Sequence, residues 1–119
     1  MQNFRELKVW NKAHTVTLAT YSATESFPAS EGCGLTSQMR RAAMSIAANI
    51  AEGCGRSSDA DFARFLYVSM GSASELEYLL LLARDLRLIA DNTYNAILAD
   101  VQEVKRMLTA LIARLIADG

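Results

Sequence analysis

The chain has 119 residues, a single-domain size, and with 51% apolar residues, one proline and six glycines it is neither a disordered polymer nor a turn-rich β-sandwich. Twelve Lys+Arg against thirteen Asp+Glu leave a net charge of −1, which excludes a global field drawing the molecule to nucleic acid or anionic membrane, so such binding would need a local patch. The N-terminal run MQNFRELKVW has no apolar core followed by a small-residue cleavage site, and no apolar run approaches the roughly 18 residues of a membrane span. A cytoplasmic protein is therefore expected, with Cys33 and Cys54 as reduced thiols.

Four segments carry a helical period. The first is expected from about Glu6 to Glu25, with Leu7, Trp10, His14, Thr17 and Tyr21 spaced 3, 4, 3, 4 as its inward stripe. It stops before Phe27-Pro28, because the residue preceding a proline is pushed out of the helical region. A small-residue loop, Ala29 to Gly34, leads to a second helix expected to be capped by Thr36 or Ser37 and to end at Gly53 in a left-handed conformation. Its stripe is Leu35, Met39, Ala43, Ile46 and Ile50. Ala42, Met44, Ala47, Ala48 and Ala51 spread apolar or small character round the cylinder, which predicts two neighbouring helices.

After Gly55-Arg56-Ser57-Ser58, a third helix capped by Ser58 or Asp59 is expected to reach about Ile89, roughly 45 Å at 1.5 Å per residue. Phe62, Leu66, Ser69, Ala73, Leu76, Leu80 and Ala83 form its seam. Asp91 is expected to cap a fourth helix, whose seam is Tyr94, Ile97, Val101, Val104, Leu108, Leu111 and Leu115. Alternating spacings of three and four describe about 3.5 residues per turn, the pattern of left-handed bundles. Short connections favour antiparallel neighbours, so the expected fold is an all-α, antiparallel up-down-up-down four-helix bundle, one domain over residues 1–119. The small residues of helices two and three, among them Ala42, Ala43, Ala47, Ser69, Gly71, Ser72 and Ala73, predict close backbone approach between them.

No residue set carries recognisable chemistry. A di-iron bundle needs inward glutamates and two Glu-x-x-His motifs, and His14 is the only histidine; on the inward stripe it reads as a packed structural residue. Glu75 and Glu77, two apart on a helix, point about 200° from each other and form no acid/base pair. The glycine clusters at 32–34 and 53–56 match no phosphate loop. Cys33 lies near a helix start, where a thiolate is slightly favoured, and Cys54 lies near a helix C-terminus, where it is disfavoured. No catalytic residue, metal site or cofactor is assigned.

Two surface features remain. Arg40 and Arg41 on helix two, with Arg56 in the next loop and Arg5, Lys8 and Lys12 nearby in sequence, make residues 1–56 net +2, from six basic and four acidic residues. Helix three carries a second stripe, Val68, Ser72, Glu75, Leu79, Leu82 and Leu86, beyond the one seam that a bundle helix needs. The continuous run Leu79 to Leu82 must leave at least one leucine outside the core, and together with Met44 on the far side of helix two this stripe predicts an apolar oligomer interface, used heterologously if copies close into a ring; because Glu75 interrupts the stripe, the alternative is that part of it is a broad core face.

The segments FRELKVWNKA, GLTSQMRRAAMSIAANIAEG at 34–53 and SASELEYLLLLARDL at 72–86 resemble the four-helix-bundle proteins encoded in intervening sequences of bacterial 23S ribosomal RNA genes. The accessory variability proteins of diversity-generating retroelements are similar. The resemblance spans nearly the whole chain, in three separated motifs. It implies an antiparallel bundle that assembles as a homopentamer, with no enzymatic activity assigned to the family. Retroelement members act beside a reverse transcriptase and bind nucleic acid, RNA or DNA, through basic surface residues, a role that Arg40, Arg41 and Arg56 would inherit here. The slightly acidic charge departs from that pattern, and the competing expectation is a protein-protein adaptor with no nucleic-acid role.

Overall fold

A computed structural model describes residues 2–32 and 34–118; Cys33 lies outside the described residues. Among the described residues four α-helices make up the fold: α1 (Lys8–Thr24), α2 (Leu35–Cys54), α3 (Asp59–Asp85) and α4 (Asp91–Asp118). Single 3-10 turns, Phe4–Glu6 and Ala29–Glu31, precede α1 and interrupt the first loop. The bundle measures 46 × 23 × 20 Å, which matches the roughly 40 Å that a 27-residue α3 spans.

Each helix touches the next in sequence, and α1 closes the ring against α4. The pairings run in opposite directions. Thr17 meets Ala43 and Thr24 meets Arg40 between α1 and α2; Ser69 meets Ile46 and Phe62 lies against Gly53 between α2 and α3; Glu77 meets Lys105 and Arg84 lies over Tyr94 between α3 and α4. These contacts give the up-down alternation expected from the short loops.

The seams of α2, α3 and α4 form the core as their spacing requires. Met39, Ile46, Ile50, Leu66, Leu76, Leu80, Val101, Val104 and Leu108 are fully buried, and of the expected positions only Leu115 stays partly exposed. Small residues draw α2 and α3 together. Ser69 Oγ donates to the Ile46 carbonyl at 2.8 Å, Ser45 and Ser72 share a hydrogen bond of 2.7 Å, and Gly53 lies where a Cβ would come within 2.8 Å of Phe62 Cδ1.

The inward face of α1 differs from the expectation by one residue of rotation, about 100°. Val9, Ala13, Val16, Thr20 and Thr24 are buried, whereas Leu7, Trp10, Thr17 and Tyr21 lie on the flank and His14 is exposed. The slim residues let α1 approach closely, and the two threonines are buried at little polar cost because Thr20 Oγ1 donates to the Val16 carbonyl and Thr24 Oγ1 to the Thr20 carbonyl, each at 2.8 Å. Trp10 and Tyr21, amphipathic rings, serve better at the edge, where Tyr21 hydroxyl reaches Met44 Sδ at 3.2 Å.

Several helix ends are also corrected. Gly34, not Thr36 or Ser37, takes the N-cap position of α2, and Thr36 Oγ1 is buried without a partner. Gly53 is helical rather than left-handed, and α2 runs on to Cys54, because glycine here makes room for Phe62 and Phe65. Helix α3 ends four residues before Ile89. Arg87 takes the left-handed position (φ 60°), its amide donates to the Arg84 carbonyl, and the Leu88 amide donates to the Ala83 carbonyl, each at 2.9 Å. This is a Schellman ending with arginine in the place that glycine usually takes. Ser58 caps α3 as expected, its Oγ accepting from the Asp61 amide at 3.1 Å. Asp91 is the first residue of α4 rather than its cap; there its carboxylate meets the positive end of the helix dipole.

Candidate nucleic-acid interface and contact surfaces

The three arginines singled out by sequence have different environments. Arg40 extends from the second turn of α2 to the end of α1, where Nε donates to Thr24 Oγ1 at 2.9 Å and Nη2 to the Tyr21 carbonyl at 3.3 Å. Its guanidinium lies 4.6 Å from the centre of the Tyr21 ring. A cation at a helix C-terminus, donating to its last carbonyls, stabilises that end. Arg40 thus fastens α1 to α2, while keeping part of its surface in solvent and having no carboxylate partner among the described residues. Arg41, one residue round the helix, is exposed and donates to Gln38 Oε1 at 2.7 Å.

Arg56 belongs to another cluster. Its guanidinium lies 3.4 Å from Glu52 Oε1 and 3.8 Å from Asp61 Oδ2, and it packs over the Phe65 ring, which Arg64 also covers. This cluster clamps the end of α2 to the start of α3 and neutralises the charge of Arg56. Arg56 lies two residues past the end of α2, and the 14 residues of α2 from Arg40 to Cys54 rise about 21 Å. Within one chain the three arginines do not form one patch.

The residues expected at an oligomer interface divide likewise. Val68 on α3 is 48% and Leu86, the C-cap of α3, 53% exposed, while Leu79 and Leu82 are half-buried and pack against the chain's own core. Tyr67, Tyr78 and Leu81 add to the exposed apolar surface of the same helix; Leu81 is the leucine of the run Leu79 to Leu82 that the core leaves outside, whereas sequence reading missed the two tyrosines because the seam and second stripe absorbed the pattern. Met44 is 45% exposed but faces α1, beside Tyr21, so it belongs to a different side of the molecule.

Among the described residues no three His, Cys, Asp or Glu side chains converge on a point that would hold a metal ion. A cleft of about 600 Å³ between the end of α1 and the start of α4 is lined by Ala, Ser, Leu, Ile, Asn and Thr, with no titratable group. Cys54 is buried, and loss of solvation pushes its thiol pKa up, which disfavours the nucleophilic thiolate. Glu77 forms an ion pair of 3.1 Å with Lys105 and Glu75 is exposed, so the two carboxylates act separately. No helix among the described residues is long and apolar enough to cross a membrane.

No curated protein matches the chain. Among solved structures, the chain is similar to a protein of unknown function from the S23 ribosomal protein family of Bacteroides thetaiotaomicron VPI-5482, at 28% identity and a TM-score of 0.77, with 87% of this chain and 97% of that one covered. The family model for the 23S rRNA-intervening sequence protein matches residues 5–110. With that match over all but the ends of the chain, and the four-helix architecture beside it, this protein belongs to the 23S rRNA-intervening sequence protein family.

Proposed function

We propose that the protein is a non-enzymatic, cytoplasmic scaffold that assembles with copies of itself, in a ring such as a pentamer, and presents basic side chains to nucleic acid. The observation that carries the reading is the exposed apolar surface of α3. Tyr67, Val68, Tyr78, Leu81 and Leu86 all stand at 36% exposure or more on a helix whose seam already fills the core. Isolated exposed apolar residues are ordinary on a protein surface, but several gathered on the outward side of one helix mark a contact surface. Met44, on a different side, supplies an apolar contact for a heterologous arrangement, in which each copy offers unlike surfaces to its two neighbours.

Assembly also answers the charge difficulty. A chain of net charge −1 whose α2 offers one well-exposed arginine, Arg41, and one partly engaged arginine, Arg40, holds nucleic acid weakly. Repeated around a ring, such contacts reinforce one another by raising the effective concentration of each later contact. The test is a mobility-shift titration with RNA and DNA at low salt. Binding should weaken steeply as salt rises and be lost in Arg41→Glu, a change that leaves the α1–α2 fastening intact. Arg56, held by Glu52 and Asp61, should contribute least.

The second reading, a protein-protein adaptor, is favoured by the acidic balance and by the neutralised Arg56. Absence of a complex with RNA or DNA at tens of micromolar protein would replace the first reading by the second.

A further inference from the structure

The displaced face of α1 creates a feature that neither the arginines nor the α3 surface explains. Arg5 guanidinium lies 4.5 Å from the Phe4 ring centre; Phe4 meets Trp10 edge-on, with centroids 4.8 Å apart at 60°; and Trp10 stacks on His14 at 5.0 Å and 8°. One cation and three flat rings thus follow one another along the flank of α1. The inner end is anchored. Phe4 and Trp10 are partly buried against the core, and Asn11 Nδ2 donates to the carbonyls of Arg5 and Leu7, at 3.0 and 2.9 Å, holding the first turn against the helix. The outer end is open: His14 is exposed, and among the described residues no other ring stacks on it.

We propose that the Trp10–His14 stack is a platform for an unpaired nucleobase of single-stranded RNA or DNA, stacked on the open face of His14, with Arg5 at the other end of the array placed for a phosphate further along the strand. A base adds to a parallel stack as its next layer, and stacking tolerates any base because each has a flat π-face. The charge argues for nucleic acid over an apolar protein segment. Arg5 is exposed and pairs with no carboxylate among the described residues, whereas six other basic residues do. A surface meant for an apolar helix gains nothing from a free guanidinium beside its flat rings. The inference rests on the nucleic-acid reading above and adds base contact to what would otherwise be phosphate contact alone.

Trp10 is the only tryptophan, so its emission reports on the platform directly. The full chain is titrated with a short oligodeoxythymidylate, an oligoadenylate and an abasic deoxyribose-phosphate oligomer of equal length. The base-bearing strands should quench Trp10 and bind about tenfold more tightly than the abasic one, and His14→Ala should remove that preference while leaving abasic binding unchanged. Equal binding and equal quenching by abasic and base-bearing strands would overturn this inference alone. Failure of all three strands to bind would overturn the nucleic-acid reading with it. Emission that changes on raising the protein concentration, without nucleic acid, would assign the platform to a second copy and likewise overturn the proposal.

Discussion

Two glycine-to-alanine substitutions should have opposite signs, although both glycines are helical. At Gly53 a Cβ would lie 2.8 Å from Phe62 Cδ1, 3.1 Å from Phe65 Cβ and 3.2 Å from Phe62 Cε1. The Phe62 ring is buried and the Phe65 Cβ moves only with the α3 backbone, so relief requires α2 and α3 to separate. Overpacking of this kind costs about 1–3 kcal/mol. The helix-propensity gain of alanine over glycine is at most about 1 kcal/mol and is smaller in a last turn, where Gly53 sits. The net expectation for Gly53→Ala is a loss of about 1 kcal/mol. Gly71 lies mid-helix in α3, exposed, with nothing within 4 Å of its Cβ position. Gly71→Ala should therefore gain close to the full 1 kcal/mol or so of propensity. Urea unfolding followed by helical circular dichroism, at one fixed protein concentration, measures both; in melting temperature the effects amount to about 4 °C down and 4 °C up. Stabilisation by both substitutions would refute the claim that Gly53 sets the α2–α3 distance.

Three further outcomes follow from the contacts. Arg40→Ala should cost about 1–2 kcal/mol, because it removes the cation and the two hydrogen bonds that close the C-terminus of α1, while Arg41→Ala should stay within about 0.5 kcal/mol in the same denaturation assay. Arg87→Gly should stabilise by roughly 0.5–1 kcal/mol, since glycine takes the left-handed position without the penalty of a Cβ. Cys54, in a Cys33→Ser background, should react slowly with a thiol reagent in the native protein and quickly in denaturant. Burial raises its pKa above the ordinary 9.0, so the unfolded chain releases the proton first and stability should fall as pH rises above about 9; a flat stability profile there would contradict the burial.

What could be read beforehand follows the strength of the apolar signal. In α3 and α4 large side chains mark the seam at alternating three and four, and the seam residues enter the core. In α1 the core is built from Ala13, Val16, Thr20 and Thr24, which are smaller or more polar than Trp10 and Tyr21 beside them, so weight of hydrophobicity pointed to the wrong face. The end of α3 was hidden because an arginine occupies the left-handed position and Leu88 and Ile89 continue the apolar run. Gly53 read as a stop, yet its use is the close approach of Phe62. The basic residues were visible as a cluster in sequence. Their partners were not, since Thr24 and Asp61 come from other helices and turn Arg40 and Arg56 into fastenings. The Trp10–His14 stack had a signal, the i, i+4 spacing of two flat side chains, which only the rotation of α1 turns into a surface feature.

Assembly through α3 is the claim on which the proposed function depends, and light scattering coupled to size exclusion tests it directly, on the wild type and on Val68→Glu. Val68 is 48% exposed in mid-helix and glutamate is a good helix former, so the variant should keep its fold and helical circular dichroism. The wild type should elute with a mass several times the 13.0 kDa of one chain, and Val68→Glu should be smaller. A wild-type mass of 13.0 kDa, or an assembly of unchanged size in Val68→Glu, would contradict the account.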